Sequence, residues 1–113
     1  MALALNVFKT ITNIVTTNTV GIYTAPVGYT GVVLLAQATN VGNSTQTLSF
    51  SHSRTRAGIA VTTEIIKNFP ISSSDTANLL PGKLVLEPGD VLTISASSNN
   101  DIKFLGSILE TLN

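Results

Sequence analysis

Short runs rich in Val, Ile, Thr, Leu and Phe recur along the chain, each closed by a cluster of Gly, Pro, Asn or Asp. A spacing of about 10 residues between such runs predicts an all-β fold: a single antiparallel β-sandwich of jelly-roll or immunoglobulin-like type. No stretch carries a helical period. The predicted strands are Leu5 to Val15, Val20 to Thr24, Gly31 to Ala38, Thr45 to Arg54, Ile59 to Asn68, Lys83 to Leu86, Val91 to Ser97 and Ile102 to Leu109, about eight in all. Glu87-Pro88-Gly89-Asp90 reads as a type II turn, with Pro at its second position and Gly at its third. Asn40-Val41-Gly42-Asn43 offers Gly and Asn for positive φ, and both turns read as hairpin ends. Arg54-Thr55-Arg56-Ala57-Gly58 and Ser98-Asn99-Asn100-Asp101 read as further hairpin loops, so strands adjacent in sequence are expected to pair. Ser72 to Leu80 is expected to be the longest loop, with a short helical turn after Asp75, an acceptable N-cap.

Several strands break the alternation that a sheet with one wet face should show. Val32-Val33-Leu34-Leu35, Leu84-Val85-Leu86 and Phe104-Leu105 with Ile108-Leu109 put apolar side chains on both faces. One face then needs a second cover, either a loop of the same chain or a neighbouring subunit. The start of the chain poses the same choice. Residues 1–8 are either an arm in subunit contacts or a strand closing their own sheet, which makes Ala2, Leu3, Ala4, Leu5, Val7 and Phe8 candidate interface residues.

Composition sharpens this picture. Only 11 % of the 113 residues are charged while 43 % are hydrophobic, against about 25 % charged in an average domain, so the exposed surface must be largely uncharged and prone to association. Six basic residues balance six acidic ones, leaving no field to steer nucleic acid, and none is expected as a partner. No stretch approaches the ~20 apolar residues of a membrane span, and no membrane partner is expected. The length suits one domain over residues 1–113, and the N-terminus lacks the basic and apolar blocks of a signal peptide, so it reads as mature protein. With no Cys there can be no disulfide, thiolate catalysis or iron–sulfur site within this sequence.

Candidate chemistry is sparse. His52, the single histidine, reads as a sheet-edge residue on the face of Leu48 and Phe50, and one imidazole does not make a zinc site. A Ser–His–Asp arrangement carries no information in a chain so rich in Ser. Glu64, Asp75, Glu87, Asp90, Asp101 and Glu110 are scattered, and Asp75, Asp90 and Asp101 fit turn or cap roles. No calcium loop, phosphate-binding loop or nucleophile elbow occurs, so no cofactor, metal site or catalytic residue is assigned and the chain is expected not to be an enzyme. Arg54 and Arg56 form the only local basic pair, placed to reach acidic groups on a partner or to lie solvated on a loop. Tyr23, Tyr29, Phe50, Phe69 and Phe104 are expected in the core, with Tyr23 and Tyr29 as the only candidates for stacking on a glycan.

Ile22-Tyr23-Thr24-Ala25-Pro26-Val27-Gly28-Tyr29-Thr30-Gly31-Val32-Val33-Leu34 resembles a segment of small virion structural proteins of tailed bacteriophages, including those of cyanobacterial phages. Glu64 to Ile71, Leu80 to Leu92 and Ser107 to Glu110 extend the likeness from about residue 12 to the end. The resemblance implies a small β-sandwich, homo-oligomeric, attached in many copies to the capsid as a decoration or cement protein, or to the neck or tail. Its partners would be its own copies and other virion proteins, such as the major capsid protein. Its place would be the virion, after synthesis in the host cytoplasm. A receptor- or glycan-binding module of a tail or fibre is the alternative.

Overall fold

The computed structural model describes residues 5–113, and Ala2, Leu3 and Ala4 of the expected arm lie outside them. The elements are β1 (Asn6–Ile14), β2 (Val20–Thr24), β3 (Tyr29–Asn40), β4 (Gln46–Arg56), β5 (Ile59–Ile71), β6 (Thr76–Asn78), β7 (Leu84–Leu86), β8 (Val91–Ala96) and β9 (Ile102–Leu112). They form two antiparallel sheets. The first runs β1-β9-β3 with β6 and β7 both on the far edge of β3, and the second runs β2-β8-β4-β5. Taking β6 and β7 as two halves of one broken edge strand leaves the eight-strand, two-sheet order of a jelly roll. This is the all-β sandwich expected from the chain's punctuation.

The turn chemistry was right more often than the pairing. Gly89 has φ 88° and the Asp90 N–H donates to the Glu87 carbonyl at 3.0 Å, as a type II turn requires. Yet this turn joins β7 to β8 in the opposite sheet, so it is a corner and not a hairpin. The same correction applies to Asn40–Asn43 and to Ser98–Asp101, which also cross between sheets. Only the Arg56-to-Ile59 connection joins paired neighbours, with Ala57 at φ 53° and Gly58 at φ 78° in the positive-φ pair that suits strand twist. Gly42 does not take positive φ. It is a glycine because a Cβ there would lie 2.7 Å from Asp101 Oδ1. Asn40 is fully buried beside it, donating from Nδ2 to the Ser44 and Ile71 carbonyls and accepting the Gly42 N–H.

The loop expected over Ser72 to Leu80 contains strand β6 and no helical turn. Asp75 does take the Thr76 N–H on Oδ1 at 2.9 Å, but the chain then pairs Thr76 with Thr39 instead of coiling. A free β3 edge offered more hydrogen bonds than an isolated helical turn.

The core lies between the sheets. Val33, Ala36, Ala38, Ile102, Phe104 and Ile108 from the first sheet meet Leu48, Phe50, Leu92 and Ile94 from the second, all buried. Phe50 and Phe104 stack across the gap with ring centroids 5.7 Å apart. Of the other aromatics expected inside, Tyr23 and Tyr29 are half-buried and Phe69 is 45 % exposed on the edge strand β5. Phe50→Ala is expected to destabilise the fold by about 3–5 kcal/mol, because it empties the centre of a two-sheet core. Urea unfolding, comparing midpoints at a common slope, measures this directly.

Candidate functional site

Two features stand apart from ordinary packing: a charged latch at one end of the sandwich and an apolar outer face on the first sheet. The latch is built on Asp90, fully buried at the end of the β7–β8 turn. Its Oδ1 accepts from Arg54 Nε at 3.1 Å, and its Oδ2 accepts from Arg54 Nη2 at 2.5 Å and from the Glu87 N–H at 2.9 Å. His52 Nε2 lies 3.1 Å from the same Oδ2. Arg56 reaches Glu87 Oε1 at 3.1 Å and Asp90 Oδ1 at 3.6 Å. Strand alternation puts His52 and Arg54 on the inward face of β4, and the β7–β8 corner delivers Asp90 onto them.

Burial alone would push the Asp90 carboxyl up, but hydrogen bonds from Arg54, His52 and the Glu87 backbone, with the Arg54 charge, more than offset it and lower its pKa from 3.8 to about 2. A carboxylate so saturated with donors, and so weak a base, is suited to holding a corner and not to moving protons at neutral pH. Arg54 and Arg56, expected to reach a partner's acids or to lie solvated on a loop, are paired within the chain with Asp90 and Glu87. His52 is not at a sheet edge either, since β4 is flanked by β8 and β5.

A second buried carboxylate sits at the same end. Glu110, on the inward face of β9, accepts from the Tyr23 hydroxyl at 2.5 Å across the gap between sheets and pairs with Lys9 Nζ at 3.2 Å. Burial first, and then the bond to Glu110 and its charge, raise the Tyr23 phenol well above its usual range, so it stays a donor. Tyr23 is thus turned inward as a tie and does not offer its ring to a ligand. The sequence reading missed this cluster. Its only local signal is Glu110 on the apolar side of an alternating strand.

The apolar outer face is laid out by register. Phe8 on β1 faces Leu109 on β9, which faces Val32 on β3, which faces Val85 on β7. One row of apolar side chains therefore crosses the whole sheet. Phe8 is 74 % exposed and Val85 57 %, with Leu109 and Val32 half-buried between them. Beside this row a bulge between Val33 and Leu35 inserts an extra residue and leaves both Leu34 and Leu35 exposed. The doubly apolar runs of β3, β7 and β9 are thus resolved: one side makes the core, and no described loop covers the other. Farther along the same face lies an open depression of about 680 Å³, lined by Thr12, Ile14, Gln37, Thr39, Lys103 and Leu105 among others. Of the expected interface residues, Leu5 and Phe8 are exposed and Val7 is half-buried. The chain from Asn6 is already strand, and the Leu5 carbonyl accepts the Leu112 N–H at 2.8 Å, so residues 5–8 are part of the sheet and not a free arm.

The opposite outer face is of another kind. Thr47, Ser49, Ser53 and Thr55 on β4, with Thr93 and Ser95 on β8, make it a field of hydroxyls, and Ser51 lies buried among them.

Neither a family model nor a curated protein matches this chain. Solved structures do. A chain of the T13 IBDV viral particle superposes with a TM-score of 0.60 at 13 % identity, over 97 % of this chain and 32 % of that one, so the present chain spans about a third of its length. A chain of the acid-stable capsid of Helicobacter pylori bacteriophage KHP30 gives 0.57 at 13 % identity over 96 % and 89 %, a partner of similar size. A chain of Bacillus endospore appendages, described as disulfide-linked pili, gives 0.51 at 16 % identity over 100 % and 97 %. What they share with this protein is the fold.

Because the folded Asp90 pKa lies below its unfolded value, the latch stabilises the protein above about pH 4 and loses that contribution as pH falls towards 2. The loss is on the order of 2 kcal/mol. Asp90→Asn is expected to lower stability at pH 7 and to flatten its decline between pH 4 and 2. Thermal melts of both proteins across that window test this.

Proposed function

We propose that this protein is a structural subunit of a viral particle, specifically of a tailed phage, carried in many copies as a decoration or cement protein of the capsid. The observation that carries this reading is the apolar row Phe8, Leu109, Val32 and Val85 across an uncovered sheet face. A face of that kind, on a chain with 11 % charged residues, gains by burial against other subunits, and a small gain per copy sums over a lattice. The fold likeness to chains of two viral particles supports it, and the likeness to a KHP30 capsid chain of similar length supports a separate small subunit. The appendage likeness is a weaker guide, since this sequence has no Cys with which to make disulfide-linked pili. The donor-saturated Asp90 and inward Tyr23 speak for a binding and not a catalytic role. Phe8 belongs to the proposed contact and Leu5 lies exposed at its rim, while Val7 alternates to the inward side opposite Glu110; the partners are the major capsid protein and further copies of this chain, and a neck or tail position would use the same face.

The rival reading, a glycan- or receptor-binding module, draws on the depression lined by Gln37, Thr39 and Lys103. It wants for exposed aromatics to stack on sugars there.

Deleting residues 1–8 would also remove Asn6 to Phe8 from the β1–β9 ladder, so a point change tests the contact more cleanly. Val85→Lys, at a site 57 % exposed, should leave the melting temperature within a few degrees while reducing incorporation into particles at least tenfold. Particles assembled without the protein, mixed with wild type or variant and pelleted, give the bound copy number. Equal binding of the variant would sink the assignment of this face.

A further inference from the structure

The sandwich has four free strand edges among its described residues, and three are blunted. β5 carries two bulges against β4, a positive-φ Asn68 and Pro70. β2 has only five residues with a bulge at Gly21/Tyr23. The β6/β7 edge is two three-residue pieces separated by a stretch containing Pro81. These are the devices that keep sheet edges from pairing with other chains. β1 has none of these breaks in its backbone, and its one charge, Lys9, is turned inward onto Glu110. Its nine residues pair with β9 without a register shift and contain neither Pro nor Gly.

Backbone hydrogen bonds fix which groups of β1 are free. The Leu5 carbonyl accepts from Leu112, and Val15 donates its N–H to the Ile102 carbonyl and accepts from Asn100, so the odd-numbered residues face β9. The N–H and C=O of Asn6, Phe8, Thr10, Thr12 and Ile14 therefore point to the open edge. We propose that this edge pairs antiparallel with β1 of a second copy about a two-fold axis at Ile11, joining the two first sheets into one continuous sheet.

The register follows from side-chain chemistry. Even residues must pair with even ones, which leaves few choices. With Ile11 on the axis, Phe8 lies opposite Ile14 of the second copy, twice by symmetry, and Thr10 lies opposite Thr12. Phe8 is 74 % exposed and Ile14 56 %, and an aromatic beside a β-branched residue is a favourable cross-strand pair. Shifting the axis to Lys9 would set two like charges face to face, and shifting it to Thr10 or Thr12 would part Phe8 from Ile14. In the Ile11 register Lys9 lies opposite Asn13. Asn13 Oδ1 is a buried side-chain atom with no hydrogen-bond partner among the described residues, and the second copy's Lys9 would bring donors to that side of the joined sheet. The isologous pair also makes the apolar rows of both copies parts of one surface.

This inference deepens the reading of Phe8 as a contact residue and rests on it only there; its test uses the purified full chain without any particle, so failure here leaves the particle assay to decide the function. Light scattering over a concentration series should give twice the monomer mass. Thr10→Pro removes an N–H that points to the open edge and none that bonds β9, so it should yield a monomer with an unchanged far-UV spectrum. In a chain without Cys, Phe8→Cys together with Ile14→Cys should give a covalent dimer on mild oxidation. Paired positions would stand about 5.5 Å apart at Cα, whereas within one chain the two sites are about 20 Å apart. A monomeric wild type, a Thr10→Pro protein that still dimerises, or Phe8→Cys alone cross-linking as fast as the double variant would each overturn the proposal.

Discussion

Everything in this sandwich waits on β9. The last strand in sequence lies between the first and the third, pairing with β1 from Asn6 to Ile14 and with β3 from Tyr29 to Asn40. Neither β1 nor β3 has another route into a common sheet. The inward stripe of β9, Ile102, Phe104, Gly106, Ile108 and Glu110, supplies the core with its cross-sheet stack and one end with its buried carboxylate. A Cβ at Gly106 would stand 3.0 Å from the Phe104 ring and 3.3 Å from the Leu35 carbonyl, so the absence of a side chain there suits the close packing of the stack. Contacts so distant in sequence must be closed against chain entropy before they are rewarded, which makes this topology slow to fold but cooperative once formed.

Crossing between sheets at nearly every connection leaves the corners as the weak points, and the polar residues are spent there. Asp90 ties the β7–β8 corner to the β4–β5 hairpin through Arg54 and His52. Asn40 binds the β3–β4 crossing to the end of β5 through the Ile71 carbonyl. Tyr23 and Glu110 join β2 to β9 between the sheets. Of the six acidic residues, Asp90 and Glu110 are buried and hold the molecule shut.

The two outer faces differ accordingly. The first sheet turns an apolar row outwards, and the second turns hydroxyls outwards. Such a molecule has a preferred side for burial and a side that tolerates water without being charged.

Turn residues, strand lengths and the all-β class were legible because each depends on a few neighbouring side chains: Pro88-Gly89 makes a type II turn wherever it stands, and Ala57-Gly58 closes a hairpin locally. The apolar excess on Leu84-Val85-Leu86 and Leu105 with Leu109 could also be seen, but not which side was core. Pairing was out of reach, since whether a turn is a hairpin or a corner depends on strands far away in sequence. So it was with Ser72 to Leu80, whose strand β6 exists only because β3 had an edge to spare, and with Arg54 and Arg56, whose partners arrive from a turn more than thirty positions away. Local sterics and hydrogen bonding operate over a few residues and can be read in order. Register, edge exposure and the meeting of buried charges are set by which distant segments share a sheet, and only the folded chain decides that.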